Sequence, residues 1–274
     1  MLVKKMKKWL LVLSMFGLVF LLTACGTEPV STSSTGLWDR YIVYYFGQAI
    51  KWLSFNKSYG IGIIIFTLII RIILMPLMQY QTNSMRKTQE LQPKLKELQQ
   101  KYASKDAETT RKLQEEQQRL YSEHGVNPIS GCLPLLVQMP IMMALWQSIS
   151  RTPELKTGTF LWLELGNIDP YYILPVLAAI FTFASTKLTS MGQLEVQGSM
   201  KVMNYMMPAM ILFMGVNLAS GLSLYWVISN GFQVIQTLLI NNPFKIRKER
   251  EEEAQKKKDI EKALRKANQP KKKR

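Results

Sequence analysis

Apolar residues in this chain gather into long runs separated by charged blocks. From Tyr59 to Met78 the run is interrupted by one charge, Arg71. Comparable runs follow at Ile129 to Ile149, Tyr171 to Leu188, Val202 to Leu218 and Leu222 to Ile240. Each approaches the roughly 20 residues with which a helix crosses the hydrocarbon core of a bilayer. The pattern predicts an all-α membrane protein with five transmembrane helices. Only Ala219, Ser220 and Gly221 separate the last two runs, which makes those helices antiparallel neighbours.

The first apolar run is shorter. Trp9 to Leu22 is uncharged, is preceded by Lys4, Lys5, Lys7 and Lys8, and ends at Leu22-Thr23-Ala24-Cys25-Gly26. That is the layout of a bacterial lipoprotein signal. Residues 1–24 are then a signal peptide, and Cys25 carries a covalent lipid that anchors the N-terminus outside the plasma membrane. An uncleaved helix with an incidental cysteine is the alternative. Thr27 to Gly36 is small and polar, as a tether is. Trp38, Tyr41, Ile42, Tyr45, Phe46, Ala49, Ile50 and Leu53 recur at helical spacing, so residues 25–57 are read as a lipidated terminus and an interfacial amphipathic helix.

The polar blocks set the orientation. Gln81 to Asn127 holds nine basic residues, Pro243 to Arg274 fourteen, and Arg151 to Pro170 two. The rule that basic loops stay inside puts the 81–127 segment and the tail in the cytoplasm, and the N-terminus outside. Leu91, Leu95, Leu98 and Tyr102 follow the 4-3-4 spacing of a coiled-coil seam, and Leu113, Gln117, Leu120 and Tyr121 continue a shorter one. This predicts a cytoplasmic helical hairpin, with Asp106 as N-cap of the second arm and Pro93 kinking or restarting the first. A solvated charged linker is the alternative. The core is 58–241, and 242–274 is a basic tail whose fourteen cations and six acids leave +8. Its lysine-rich end, Lys271-Lys-Lys-Arg274, reads as disorder, and the tail has affinity for ribosomal RNA or anionic lipid; a topology determinant and solvated end is the alternative.

Composition excludes several classes. Two cysteines make no disulfide framework, and one histidine, His124, makes no multi-histidine metal site. Glycine-rich phosphate loops and a G-x-S-x-G elbow are absent from the sequence. No cofactor, metal or catalytic residue is expected, and an enzyme would lack an acid–base pair.

Arg71 needs a reason. An arginine at mid-bilayer costs at least about 2.5–3.5 kcal/mol. None of the other four runs contains Asp or Glu. The reading is a hydrated cavity around Arg71; bonding to backbone carbonyls or snorkelling is the alternative. Thr67 lies one turn earlier on the same face. Gln138, Gln147, Asn204, Asn217, Ser223, Ser229, Asn230, Gln233 and Gln236 add polar groups to other runs, for the same cavity or for hydrogen bonds between helices. Methionines crowd the runs and suit either core filling or an adaptable apolar surface.

Three stretches then resemble a family. Ile69-Ile-Arg-Ile-Ile-Leu-Met-Pro-Leu77, Gly131-Cys-Leu-Pro-Leu-Leu-Val-Gln-Met-Pro-Ile141 and Gly221-Leu-Ser-Leu-Tyr-Trp-Val-Ile-Ser-Asn230 resemble, in order, signature segments of the YidC/Oxa/Alb membrane protein insertases. The lipobox resembles the Gram-positive form. The resemblance implies five helices around a hydrophilic groove, with Arg71 as its cation, Thr67 and Gln138 as polar lining and Trp226 as an aromatic wall. It implies nascent membrane proteins as clients, with the ribosome, the Sec translocon and membrane lipid as partners. A small solute transporter or anion channel built on Arg71 is the rival function.

Overall fold

The computed structural model describes residues 28–104, 106–127, 133–192 and 198–267. The signal peptide, Cys25, Cys132 and Lys271 to Arg274 lie outside the described residues. The chain is mostly helical and divides into two compact units.

The first unit holds residues 28–69, 133–170 and 218–225. A π-helical turn at Asp39–Val43 leads directly into α1, Tyr44–Trp52. The helix predicted by the spacing from Trp38 to Leu53 therefore forms, in two pieces. It packs on α5, Leu133–Arg151: the Ser148 hydroxyl lies 2.8 Å from the Val43 carbonyl, and Trp38 Nε1 donates to Gln147 Oε1 at 2.8 Å. Two glycines permit close approaches to this N-terminal helix. A Cβ on Gly47 would sit 2.8 Å from Thr152 Oγ1, and one on Gly62 would run into the Ile50 carbonyl and the Ser54 hydroxyl.

After the short helix α6, Pro153–Lys156, a two-stranded antiparallel hairpin pairs β1, Thr159–Phe160, with β2, Leu163–Glu164. Its following loop closes the start of α9, Ser220–Leu239. Ser220 N donates to Asn167 O at 2.6 Å, and Gly221 N to Leu165 O at 3.0 Å. Two of the donors that a helix start leaves unmet are satisfied in this way.

The second unit holds residues 70–127, 171–192, 198–217 and 226–267. Helix α2, Tyr59–Glu90, contributes its later part. Its 32 residues reach about 48 Å, well beyond a bilayer core of about 30 Å. Leu91 breaks it, and α3, Gln92–Lys101, restarts with Pro93 in its first turn, where the missing N–H does no harm. Helix α4, Ala107–Glu123, begins at Asp106, whose Oδ1 accepts from Thr109 N at 2.8 Å. Leu91, Leu95 and Val126 form a small core between these arms, closed by Leu120 and Tyr121.

Helices α7, Ile173–Met191, and α8, Gly198–Gly215, pack together, with Phe183 and Tyr205 ring centroids 5.7 Å apart. Their outer faces expose Val176, Ile180, Val202, Met203, Met206 and Phe213. Exposed large apolar residues in this number mark a membrane or partner contact. By length and composition α2 and α7 could cross a membrane, and Val202–Gly215 is a shorter apolar helix.

The described part of the tail is helical: α10 runs Pro243–Ala267, and Lys271 to Arg274, where disorder is expected, lie outside the described residues. Asn242 caps it, accepting from Phe244 N at 3.1 Å and Lys245 N at 3.3 Å, with Pro243 in the first helical position. Arg247 pairs with Glu251 one turn on, and Arg250 ties the helix down through the Gly192 carbonyl at 2.9 Å and Glu90 at 3.2 Å. Composition alone registers the charges and misses these fixed partners.

Candidate functional site

Arg71 projects from a stretch of α2 where Ile69, Ile72 and Ile73 are exposed apolar residues. Its own side chain is half-buried and turned to α9. Nε donates to Ser229 Oγ at 3.2 Å, and Nη1 reaches Gln233 Oε1 at 3.5 Å. Ser229 is buried. Both acceptors are neutral, so they steer the guanidinium without neutralising it. The sequence pattern puts water around Arg71; the structure adds an α9 hydroxyl and amide. Ser229 and Gln233 are legible as polar residues of the last apolar run, though not as this pair.

Trp226 lies one turn before Ser229 on α9 and is buried. Its carbonyl accepts from Asn230 Nδ2 at 2.9 Å. Arg71 and Trp226 thus belong to the second unit, on helices joined by the Arg71–Ser229 bond. Farther along α2, Gln81 is buried, and neither atom of its amide has a hydrogen-bond partner. A buried amide left open in this way has capacity for water or a polar guest. Next comes Arg86, which donates to Asn241 Oδ1 at 3.0 Å. Burial, then the like charge of Arg250, lowers its pKa, while Glu90 and Glu249 push it back up.

Thr67 and Gln138 belong to the first unit. Thr67 is fully buried, and its hydroxyl donates to the Ile63 carbonyl of its own helix at 2.6 Å. Its donor is therefore occupied, and its oxygen is left as an acceptor. Gln138 Nε2 donates to the Tyr225 hydroxyl at 2.6 Å. Tyr225 stands inside the third signature segment, beside Trp226, yet nothing in the sequence marks it as the partner of Gln138.

The most buried ion pair described is equally invisible in the sequence. Arg151 forks onto Asp39 with contacts of 2.9 and 2.7 Å, and its Nε donates to the Glu28 carbonyl at 2.8 Å. The side chains are only 6% and 19% exposed. Lys51 and Glu154 form a second, more open pair, and the Lys51 hydrogen bond leads the causes that lower the Glu154 pKa. Together these pairs hold the N-terminal helix to the end of α5 and to α6. Among the described residues no three His, Cys, Asp or Glu side chains group closely enough to hold a metal ion.

Comparison with known proteins agrees with the motifs. The family described as 60Kd inner membrane protein matches residues 51–249. "Membrane protein insertase YidC" of Enterococcus faecalis is 70% identical over 270 residues, covering 98% of both chains. "Membrane protein insertase YidC 2" of Listeria innocua is 54% identical over 253 residues, covering 90% of this chain and 88% of that one. The solved structure titled "Active YidC insertase crystal structure with the first transmembrane domain resolved" aligns with a TM-score of 0.56 and 31% identity, over 75% of this chain. This chain spans about half of that one, 47%.

Proposed function

The chain belongs to the 60Kd inner membrane protein family, and from that premise we propose that it is a membrane protein insertase acting on newly made membrane proteins through the charge of Arg71. The relatives are named insertases, and the transporter or channel reading is not favoured.

The observation that carries the mechanism is Arg71 on an apolar helix, hydrogen-bonded to Ser229 and Gln233. An arginine stays protonated at any working pH. Its positive charge attracts acidic residues in a client's polar segment. The proposed path is a hydrophilic groove with Arg71 as its cation and Trp226 as an aromatic wall. The open amide of Gln81 supports a wet lining along α2. Thr67, one turn before Arg71, and Gln138, on the second signature segment, enter the proposal as polar lining. As the polar segment crosses, the client's apolar segment moves into lipid, driven by its hydrophobic transfer and aided by the membrane potential.

The proposal places five spans in the bacterial plasma membrane, carried by α2, α5, α7, α8 and α9. The N-terminus is outside, lipid-anchored at Cys25 after removal of residues 1–24, and the hairpin and tail are cytoplasmic. The excess of basic residues in 81–127 and 243–274 supports this orientation. The hairpin receives clients from the ribosome, to which the tail adds electrostatic attraction, and insertion proceeds independently of the Sec translocon or beside it. The test is site-specific crosslinking from positions 71, 138 and 226 to a ribosome-stalled client. Adducts at all three support the groove. Crosslinking from none of the three would remove it.

A further inference from the structure

Helix α10 has two halves of different character. The first is held to its own unit by Arg250 through Gly192 and Glu90, and Ile246 packs near Gly192. The second, 256–267, carries six Lys or Arg against Asp259 and Glu261. On it Ile260 and Leu264 are 62% and 60% exposed. At the helical period these two fall within about 40° of Ile246, on the face that packs at the other end. Lys258, Lys262 and Arg265 fall on the far side, Lys256 at the border of the apolar stripe, and Lys257 at its N-terminal end on the same face.

We propose that residues 256–267 dock on the anionic lipid surface of the cytoplasmic leaflet, with Ile260 and Leu264 sunk among the acyl chains and the cations on the phosphates. An aliphatic pair on one face with lysines around it is the pattern of a helix lying in a membrane interface. Nucleic acid would engage the cations and leave Ile260 and Leu264 in water, so the apolar pair decides between the two. Position agrees, because only residues 240–242 separate α9 from α10. The inference rests on the proposed topology, in which α9 ends at the cytoplasmic surface.

The test uses the full chain with Cys25→Ser and Cys132→Ser, labelled with an environment-sensitive fluorophore at Ile260→Cys, Leu264→Cys or Lys262→Cys. Each is reconstituted in vesicles of phosphatidylglycerol or of phosphatidylcholine alone. The expected result is a blue shift and loss of iodide quenching at 260 and 264 in phosphatidylglycerol, none at 262, and reversal by Lys256→Gln, Lys258→Gln and Arg265→Gln together. Labels equally exposed in both lipids would overturn the proposal. So would shielding that appears only with added ribosomes, which assigns the face to RNA, or only at high protein density, which assigns it to a second copy. Client insertion is measured in the same vesicles. Lost shielding with insertion intact counts against this inference alone, whereas lost insertion in the unsubstituted protein counts against the insertase reading.

Discussion

Arg71 donates its Nε hydrogen to the hydroxyl of Ser229, 3.2 Å away on a helix reached 158 residues later in the chain. The bond aims the cation without cancelling it. An acidic neighbour in the same place would cancel it, and that separates charge from mere packing. Gln233→Glu is nearly isosteric and stands 3.5 Å from Nη1. It is expected to leave melting temperature unchanged or higher while abolishing client insertion. Thermal unfolding and an insertion assay on the same preparation check this. Full insertion by Gln233→Glu would show that the charge of Arg71 is not needed.

Ser229→Ala is the milder case. It removes one hydrogen bond to a charged group, worth about 1.5–3 kcal/mol, and leaves Gln233 in place. Insertion is expected to fall by less than about tenfold, with the charge still present. A time course of client insertion measures it.

Breaking the Asp39–Arg151 pair is a matter of stability. With side chains 6% and 19% exposed, removal of either partner strands the other. Asp39→Ala or Arg151→Ala is expected to cost about 3–5 kcal/mol. The double substitution should cost less than the sum of the two, because no charge is then left unpaired. A double-mutant cycle by thermal or denaturant unfolding reads the coupling directly.

The cap at Asp106 has a pH signature. The Ser104 hydroxyl first, and then the Thr109 amide, hold its carboxyl well below the usual carboxylate range. A depressed native pKa gives stability that is present above the ordinary carboxylate value and lost as pH falls through the native one. Protection of the Thr109 amide should therefore hold from neutral pH to about pH 4 and decline below it. Asp106→Ala should lower that protection at neutral pH, and Asp106→Asn should keep much of it, since asparagine also caps. Hydrogen exchange, corrected for its intrinsic pH dependence, follows both.

These sites differ in how far the sequence announces them. Asp106 is legible because capping is local: the carboxylate and its amide are three residues apart. Arg71 is legible because one charge in an apolar run cannot be overlooked. Its partners are not, since a fold has to bring Ser229 to it. Asp39 and Arg151 lie 112 residues apart, and each alone reads as an ordinary charge near a span end. The α10 helix is hidden for a related reason. Its lysines and glutamates compose like a disordered tail, and only Asn242, Arg250 and Ile246 in their places make it a packed helix.

The central claim is that the positive charge at position 71 does the work. Arg71→Ala and Arg71→Lys, expressed to equal membrane levels in a strain depleted of its own insertase, measure it most directly. The account expects no growth with alanine and substantial growth with lysine, which keeps the charge on a different geometry. Full growth with Arg71→Ala would contradict it.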